Sequence, residues 1–400
     1  MDQMVLKTQK YLNENYNGKH GYNTIAEDGA TGWSTIYALT RAFQIELGLS
    51  APADNFGNAS TNAFKKKYPT GIKQQDADAT ETSRVYAIIQ GALWCKGYGT
   101  GSNEITEHFY GGTGAAVKKL KTDAGFETPD STVTLNVMKA LLSMDQFRVI
   151  YSQGGTITIQ NIQKQLNRKY ESYIGLIPCD GLYGRQMNKA LIQVLQAIVG
   201  LSADGAFGNQ TKAKCPILPD VDGLLPSNVV ADATVLVKWA LSCNGYVVDT
   251  SADWDNVLEM AIREFQRDLH LQVTGTVNID TWMSLLLSKG NPDRACSACD
   301  TRFKITYERA DELKKKGYSI VGRYLTGGDY KELEEPKENE SQEKCEPQRI
   351  LSKGLSFFPI FQESSTDISY FTEARGKIDA GVAVRAARRH RVRNCNLFCS

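Results

Sequence analysis

The chain has little that would commit it to an ionic partner, a membrane or a metal. Its 46 basic and 45 acidic residues leave a net charge of +1 over 400 residues, so no global field draws it to nucleic acid or an anionic bilayer. No stretch approaches the roughly 18 apolar residues of a membrane span, and Met1–Tyr16 lacks the apolar core of a secretory signal. The four histidines, at 20, 108, 270 and 390, lie far apart. They show neither the His-Glu-x-x-His nor the His-x-x-Glu-His spacing of zinc hydrolases. There is no glycine-rich phosphate loop and, although Cys95 follows Trp94, no recognisable cysteine–histidine peptidase motif. The nine cysteines are scattered rather than clustered, which points to free thiols instead of a disulfide scaffold. No cofactor is implied.

What the chain has is ample apolar content, 42% of 400 residues, enough for two to four domains. Over the first 290 residues one pattern returns four times. In the first copy an amphipathic opening helix (Val5, Leu6, Leu12) leads to Glu27-Asp28-Gly29 and Thr31-Gly32-Trp33. A second helix follows with Ile36, Leu39, Ala42 and Phe43 on one face, then Gly48-Leu49, Asp54-Asn55-Phe56-Gly57 and a third short helix from Ser60. The third copy repeats this with Asp180-Gly181-Leu182-Tyr183-Gly184, a helix carrying Leu191, Val194, Leu195 and Ile198, and Gly200-Leu201-Ser202-Ala203-Asp204-Gly205-Ala206-Phe207-Gly208. The second and fourth copies are eroded, yet Gln44, Lys121, Gln196 and Gln266 fall at equivalent places, spaced by 77, 75 and 70 residues. That period is too long for a solenoid repeat and suits a small domain.

The turns need glycine where the chain takes positive φ, and the apolar positions at spacings of three and four give each central helix one stripe to bury. Each copy is therefore expected to be a three-helix domain, over 1–75, 80–148, 154–218 and 229–290. The pattern Ala38-Leu39, Phe43-Gln44, Gly48-Leu49, Phe56-Gly57 and Thr61, with Asn55 where glycine is usual, resembles the peptidoglycan-binding domain of bacterial cell-wall hydrolases. So does Ala190-Leu191, Leu195-Gln196, Gly200-Leu201, Asp204-Gly205, Phe207-Gly208 and Thr211. The resemblance implies noncovalent attachment to peptidoglycan. Most of the matching Gly, Phe and Gln residues sit at turns or on buried faces and are expected to keep the fold. Trp33 and Tyr183, aromatics beside the turns, are the candidate sugar contacts.

A different domain is expected from 296 to 400, after the linker-like Gly290-Asn291-Pro292-Asp293-Arg294. A helix near Tyr307–Lys316 ends at Gly317. Ser319–Leu325 and Leu355–Phe361 read as strands, the second apolar enough to be covered on both faces. Glu332–Glu346, with seven Glu in fifteen residues, reads as a solvated loop. Strand–helix–strand alternation argues a parallel sheet.

The run Cys299-Asp300-Thr301-Arg302-Phe303 through Gly322-Arg323-Tyr324-Leu325 to Phe357-Phe358-Pro359-Ile360-Phe361-Gln362-Glu363 resembles a glycoside-hydrolase-like family found beside peptidoglycan-binding repeats in Gram-positive bacteria. By it the fold is the start of a TIM-barrel-like domain. Asp300, Arg323, Tyr324, Gln362 and Glu363 would line the carboxyl ends of the strands. Asp300 and Glu363 could supply the carboxylate pair of glycoside cleavage, with Arg323 and Tyr324 in support. A helix-capping or merely solvated Glu363 is the bland alternative.

About 200 residues is the minimum for such a barrel, so the span from 296 is expected to hold only its first half. From Arg388 the sequence has neither periodicity nor capping. Asn394–Ser400 can be encoded so that a one-base shift yields an apolar strand, so 388–400 reads as out of frame; the DNA beyond codon 400 tests this. On that reading neither the five arginines of Arg385–Arg393 nor Cys296 and Cys299 with Cys395 and Cys399 were selected, and no bound metal is expected.

The architecture expected is thus multidomain, all-α repeats followed by an incomplete α/β barrel. Two functions follow from the resemblances. One is a peptidoglycan-binding protein carrying the start of a catalytic domain. The other is a muralytic glycosidase, of which this chain is a shortened form. A cell-wall or extracellular place is expected, by a route that no signal segment identifies, with residence in the cytoplasm until lysis as the alternative. Oligomeric state is left open.

Overall fold

A computed structural model describes residues 1–287, 297–327, 332–333, 345–362 and 368–389. Among them are fifteen α-helices and one three-stranded parallel sheet. The protein divides into two compact units. The first is Met1–Asn244 with Asp249–Asp253 and Leu285–Ser288; the second is Gly245–Val248 with Trp254–Ser284 and Lys289–Ser400.

Helices α1 (Gln3–Tyr16), α2 (Trp33–Glu46), α3 (Asn58–Lys67), α4 (Arg84–Cys95), α5 (Gly111–Asp123), α6 (Leu135–Leu141), α7 (Ile157–Ile174), α8 (Arg185–Ile198), α9 (Asn209–Lys214) and α10 (Ser227–Cys243) lie in the first unit. Helices α11 (Asn256–Asp268) and α12 (Ile279–Leu286) follow. The apolar stripe seen in the sequence of α2 is buried as its spacing requires: Ile36, Leu39, Ala42 and Phe43 are all 1% exposed or less. Helix starts are set by short polar side chains. Asp2, Ser83, Thr134, Thr156 and Asp255 each accept a backbone N–H of the first turn, satisfying donors that the helix itself cannot.

The connecting turns are held from within. Gln196, 2% exposed, donates to the Asp204 carboxylate at 2.7 Å, the Ala206 carbonyl at 2.9 Å and the Thr211 hydroxyl at 3.1 Å, and accepts from the Gly205 amide at 2.8 Å. Gln266 does the same with Thr274, Thr276, Thr281 and Gly275. Gln44 accepts from Ala53 and donates to Asn55 and Ser60. Gln9, Gln90 and Gln163, on α1, α4 and α7, clamp the turns that follow those helices in the same way.

Two lysines replace glutamine in this device, and each brings an acid. Lys121 donates to Asp130 at 2.6 Å, and Lys238 to Asp249 and Ser251. The ammonium of each is buried, while both aspartates are largely exposed. The lysine hydrogen bonds hold both carboxyls below the usual range.

The glycines follow this logic. Gly181 has φ +77°, and a Cβ there would come within 2.5 Å of the Thr156 carbonyl. In the first copy, however, the amide taken by Gln44 belongs to Ala53, nine residues on, just as Gln196 takes Gly205 and Gln266 takes Gly275. Ala53, not Asn55, is thus the counterpart of the turn glycine.

In the second unit β1 (Ser297–Asp300), α13 (Tyr307–Lys315), β2 (Tyr318–Tyr324), α14 (Glu346–Ser352), β3 (Ser356–Ile360) and α15 (Glu373–Arg389) follow in order. The sheet order is β1-β2-β3, all parallel, with Asp300 opposite Gly322 and Gly322 opposite Phe358. Ile305, Ala310, Val321, Ile350 and Leu355 form the core on its helix-covered face. The apolar run of β3 predicts cover on both faces. Instead Phe358 is 41% exposed, and an apolar run alone cannot say whether a second layer is present. The linker residues 290–294 lie outside the described residues.

Gln196→Leu is expected to orphan the Gly205 N–H and the Ala206 carbonyl and to destabilise the first unit by about 2–4 kcal/mol. A chemical-denaturation midpoint followed by circular dichroism measures this. An unshifted midpoint would show that the clamp contributes nothing.

Candidate functional site

Three residues named from the sequence meet at the sheet, but not on one side of it. Side chains alternate along a strand, so Tyr324 and Arg323, being neighbours, point to opposite faces. The Tyr324 hydroxyl donates to the Asp300 carboxylate at 2.9 Å, across Gly322. A Cβ at Gly322 would lie 2.7 Å from Phe358, 2.8 Å from Ile360 and 3.0 Å from the Asp300 Cβ. The absence of a side chain there lets Asp300 and the two β3 residues converge. The Asp300 hydrogen bond is the first cause of the raised pKa of the Tyr324 phenol. A cavity of about 370 Å³ opens between Asp300 and α13, bordered by Cys299, Ile305, Arg309, Glu312 and Lys316; Tyr324 is not among its lining residues, so it is not the space the Asp300–Tyr324 pair faces.

Arg323 departs from the expectation that it lines the carboxyl-end face. It is fully buried on the helix-covered side, its Nε donating to Glu346 Oε1 at 2.6 Å, Nη1 to the Thr301 carbonyl at 2.7 Å and Nη2 to the Glu332 carbonyl at 3.2 Å. Glu346 is equally buried and also accepts the Ile305 amide at 2.6 Å. The last glutamate of the acidic run is therefore an internal anchor, a correction to its reading as solvated loop. The signal that was missed is local: Glu346-Pro347 opens α14, which packs against β3. Glu363 lies outside the described residues, as do Cys296, Cys395 and Cys399. Gln362 is exposed just beyond β3.

Of the two candidate sugar contacts, Trp33 is 57% exposed at the start of α2 and stacks on Tyr37, ring centroids 5.4 Å apart. Tyr183 is half-buried, and its hydroxyl accepts the Asn188 amide at 2.8 Å. Burial pushes that phenol up to about 12. Cys95, Cys179, Cys215, Cys243, Cys299 and Cys345 carry free thiols. Among the described residues no group of three or more His, Cys, Asp or Glu is placed to hold a metal, and no helix is long and apolar enough to cross a membrane.

Residues 152–286 match the family model described as FadG/YbfG, PGDB-like domain. Residues 311–399 match the Rv2525c-like, glycoside hydrolase-like domain. A glycoside-hydrolase-like domain thus covers β2, β3 and Tyr324, with Asp300 just before the matched span. The chain is 44% identical over 396 residues to the uncharacterized protein YbfG of Bacillus subtilis (strain 168), covering 97% of this chain and 52% of that relative. It is 39% identical over 400 residues to the uncharacterized protein FadG of the same organism, covering 98% and 66%. The chain therefore spans between about half and two-thirds of the length of these relatives. No solved structure matches it.

Removing one member of the buried pair, as in Glu346→Gln, is expected to destabilise the second unit by about 3–5 kcal/mol by leaving the Arg323 charge uncompensated. The double variant Arg323→Met, Glu346→Leu should lose less than the sum of the single changes. Hydrogen exchange of the β2 amides measures both; strict additivity would show that the two groups are not coupled.

Proposed function

Proceeding from that twofold likeness, we propose that the protein binds peptidoglycan through its helical part and carries a glycoside-hydrolase-like domain beside it, at the cell wall or outside the cell. On this reading residues 1–290 are four three-helix units of the peptidoglycan-binding type, and the three strands from β1 are the opening of a TIM-barrel-like domain. The observation that carries it is the clamp. Glutamine or lysine holds the turn after α1, α2, α4, α5, α7, α8, α10 and α11, and Gln44 and Gln196 are the glutamines of the peptidoglycan-binding pattern. On this reading these side chains are engaged with the turns they hold and build the unit.

A second reading, a muralytic glycosidase, is favoured by the Asp300–Tyr324 contact. It sets a carboxylate at the carboxyl end of parallel strands, where catalytic groups gather in such folds. Asp300 would be one of two acids, and Glu363 the candidate for the other. Tyr324 would orient Asp300 through its hydroxyl.

Sedimentation of the full chain with purified peptidoglycan tests the first reading: it is expected in the pellet, and recovery in the supernatant would overturn it. Release of reducing sugar tests the second. Wild type should release it and Asp300→Asn about 10²–10⁴-fold less, with sedimentation unchanged; absence of release by wild type removes the glycosidase and leaves the binder.

A further inference from the structure

Trp33 is large, apolar and 57% exposed, and nothing in the construction of its helix requires it. Measured back from the clamping residue, Trp33 and Tyr37 stand eleven and seven places before Gln44. The residues in those places are Tyr110 and Gly114 before Lys121, Arg185 and Lys189 before Gln196, and Asp255 and Glu259 before Gln266. The clamp recurs while the aromatic pair does not. A pair kept for folding would follow the clamp, so the stack has another use.

The stack borders a cleft of about 520 Å³ in the first unit, within the roughly 300–1,000 Å³ of small-molecule sites. The opposite walls come from elsewhere in the chain: Asn136 and Lys139 from α6, and Gln186 from α8. The rings stack at 29°, so that an outer ring face, backed by its neighbour, offers a flat apolar surface. Round it stand the Asn136 amide, whose nitrogen donates to Glu171 at 2.9 Å, the Gln186 amide, hydrogen-bonded to the Asp145 carboxyl on the same wall, and an ammonium at Lys139, which lies over the Phe56 ring at 5.8 Å. The Asp54 carboxylate on the same rim is held by Arg41 at 2.7 Å. Flat aromatic floor with a rim of mixed donors and acceptors is the chemistry that recognises a sugar, whose ring has an apolar face and an equatorial belt of hydroxyl and acetamido groups. The charges on the rim roughly balance, so the cleft has no surplus of positive charge to take a phosphate-rich polymer.

We infer that this cleft is a single composite binding site for an uncharged amino-sugar segment of a glycan, with Trp33 and Tyr37 as its stacking platform and Asn136, Lys139 and Gln186 as its polar rim. It rests on the wall-binding reading and sharpens it. Binding is assigned to a place where α2, α6 and α8 meet, rather than once to each three-helix unit. A unit taken alone would hold only part of the site.

The test uses the full chain and a β-1,4-linked N-acetylglucosamine tetrasaccharide, read by tryptophan fluorescence and calorimetry, beside sedimentation with purified peptidoglycan. Of the five tryptophans, Trp94, Trp239 and Trp282 are 3% exposed or less and Trp254 is half-buried, so Trp33 is the most exposed reporter and calorimetry, which needs no fluorophore, compares the variants. Wild type should give a saturable response. Trp33→Ala should weaken binding at least tenfold with an unchanged melting temperature, Trp33→Phe should retain most of it, and Gln186→Ala should weaken it severalfold. If wild type sediments with peptidoglycan but Trp33→Ala sediments equally and no tetrasaccharide response is seen, the cleft is overturned and the wall-binding reading stands. A calorimetric response to the tetrasaccharide that is lost in Trp33→Ala, without sedimentation of wild type, supports the cleft and overturns the wall. If neither ligand binds, both fall.

Discussion

A buried amide reaching out of a helix to hold the turn that follows it is the interaction on which the helical part depends. Turns carry backbone donors and acceptors that no regular ladder satisfies, and leaving them dry and unpaired costs more than a typical hydrogen bond returns. Glutamine solves this because one side chain both donates and accepts, so Gln196 can take the Gly205 N–H and the Ala206 carbonyl together. Lysine only donates. Where it substitutes, at Lys121 and Lys238, an aspartate supplies the missing acceptor and its other oxygen lone pairs receive the turn amides, as Asp130 receives Thr132 and Asp249 receives Ser251. The exchange keeps the turn satisfied while altering the side chain completely, which is why the sequence pattern reads as eroded around Lys121 and Lys238.

The second unit depends on a different anchor. Arg323 and Glu346 are both fully buried and tie β2 to the start of α14 and to the Thr301 and Ile305 backbone. A buried pair of this kind does not add much stability over an apolar one, but it tolerates no partner's loss. Its position behind the strand ends fixes the segment from which Asp300 and Phe303 project. The groups facing the open side, Asp300 and Tyr324, thus rest on charges buried on the other side of the same sheet.

Legibility from sequence varied with the range of the interaction. The helices were readable because their apolar stripes are local, and the parallel strands because alternation of strand and helix permits few arrangements. Strand alternation also separates Arg323 from Tyr324, and that signal was present in the sequence although the resemblance grouped them. The burial of Glu346 was readable only in part: Glu346-Pro347 marks a helix start within a run whose composition predicts solvation, but the packing of α14 decides that this side chain is internal. Trp33 was readable as an aromatic beside a turn, while Tyr37, four residues on and so on the same helix face, came into view only with the structure. The cleft was not readable, because Asn136, Lys139 and Gln186 are about a hundred or more residues away from Trp33.

The amino-acid sequence by itself determined helices with one apolar stripe, turn glycines such as Gly181 and a parallel sheet in the last part of the chain, since each follows from residues within a few turns of one another, whereas Asp300 was named through the family resemblance. Tertiary structure alone decided which acids are buried, which face of the sheet is open, and that residues from three helices share one aromatic-floored cleft. The reason is physical: periodicity and turn chemistry act over a few residues, whereas burial and cavity shape depend on which distant surfaces pack together.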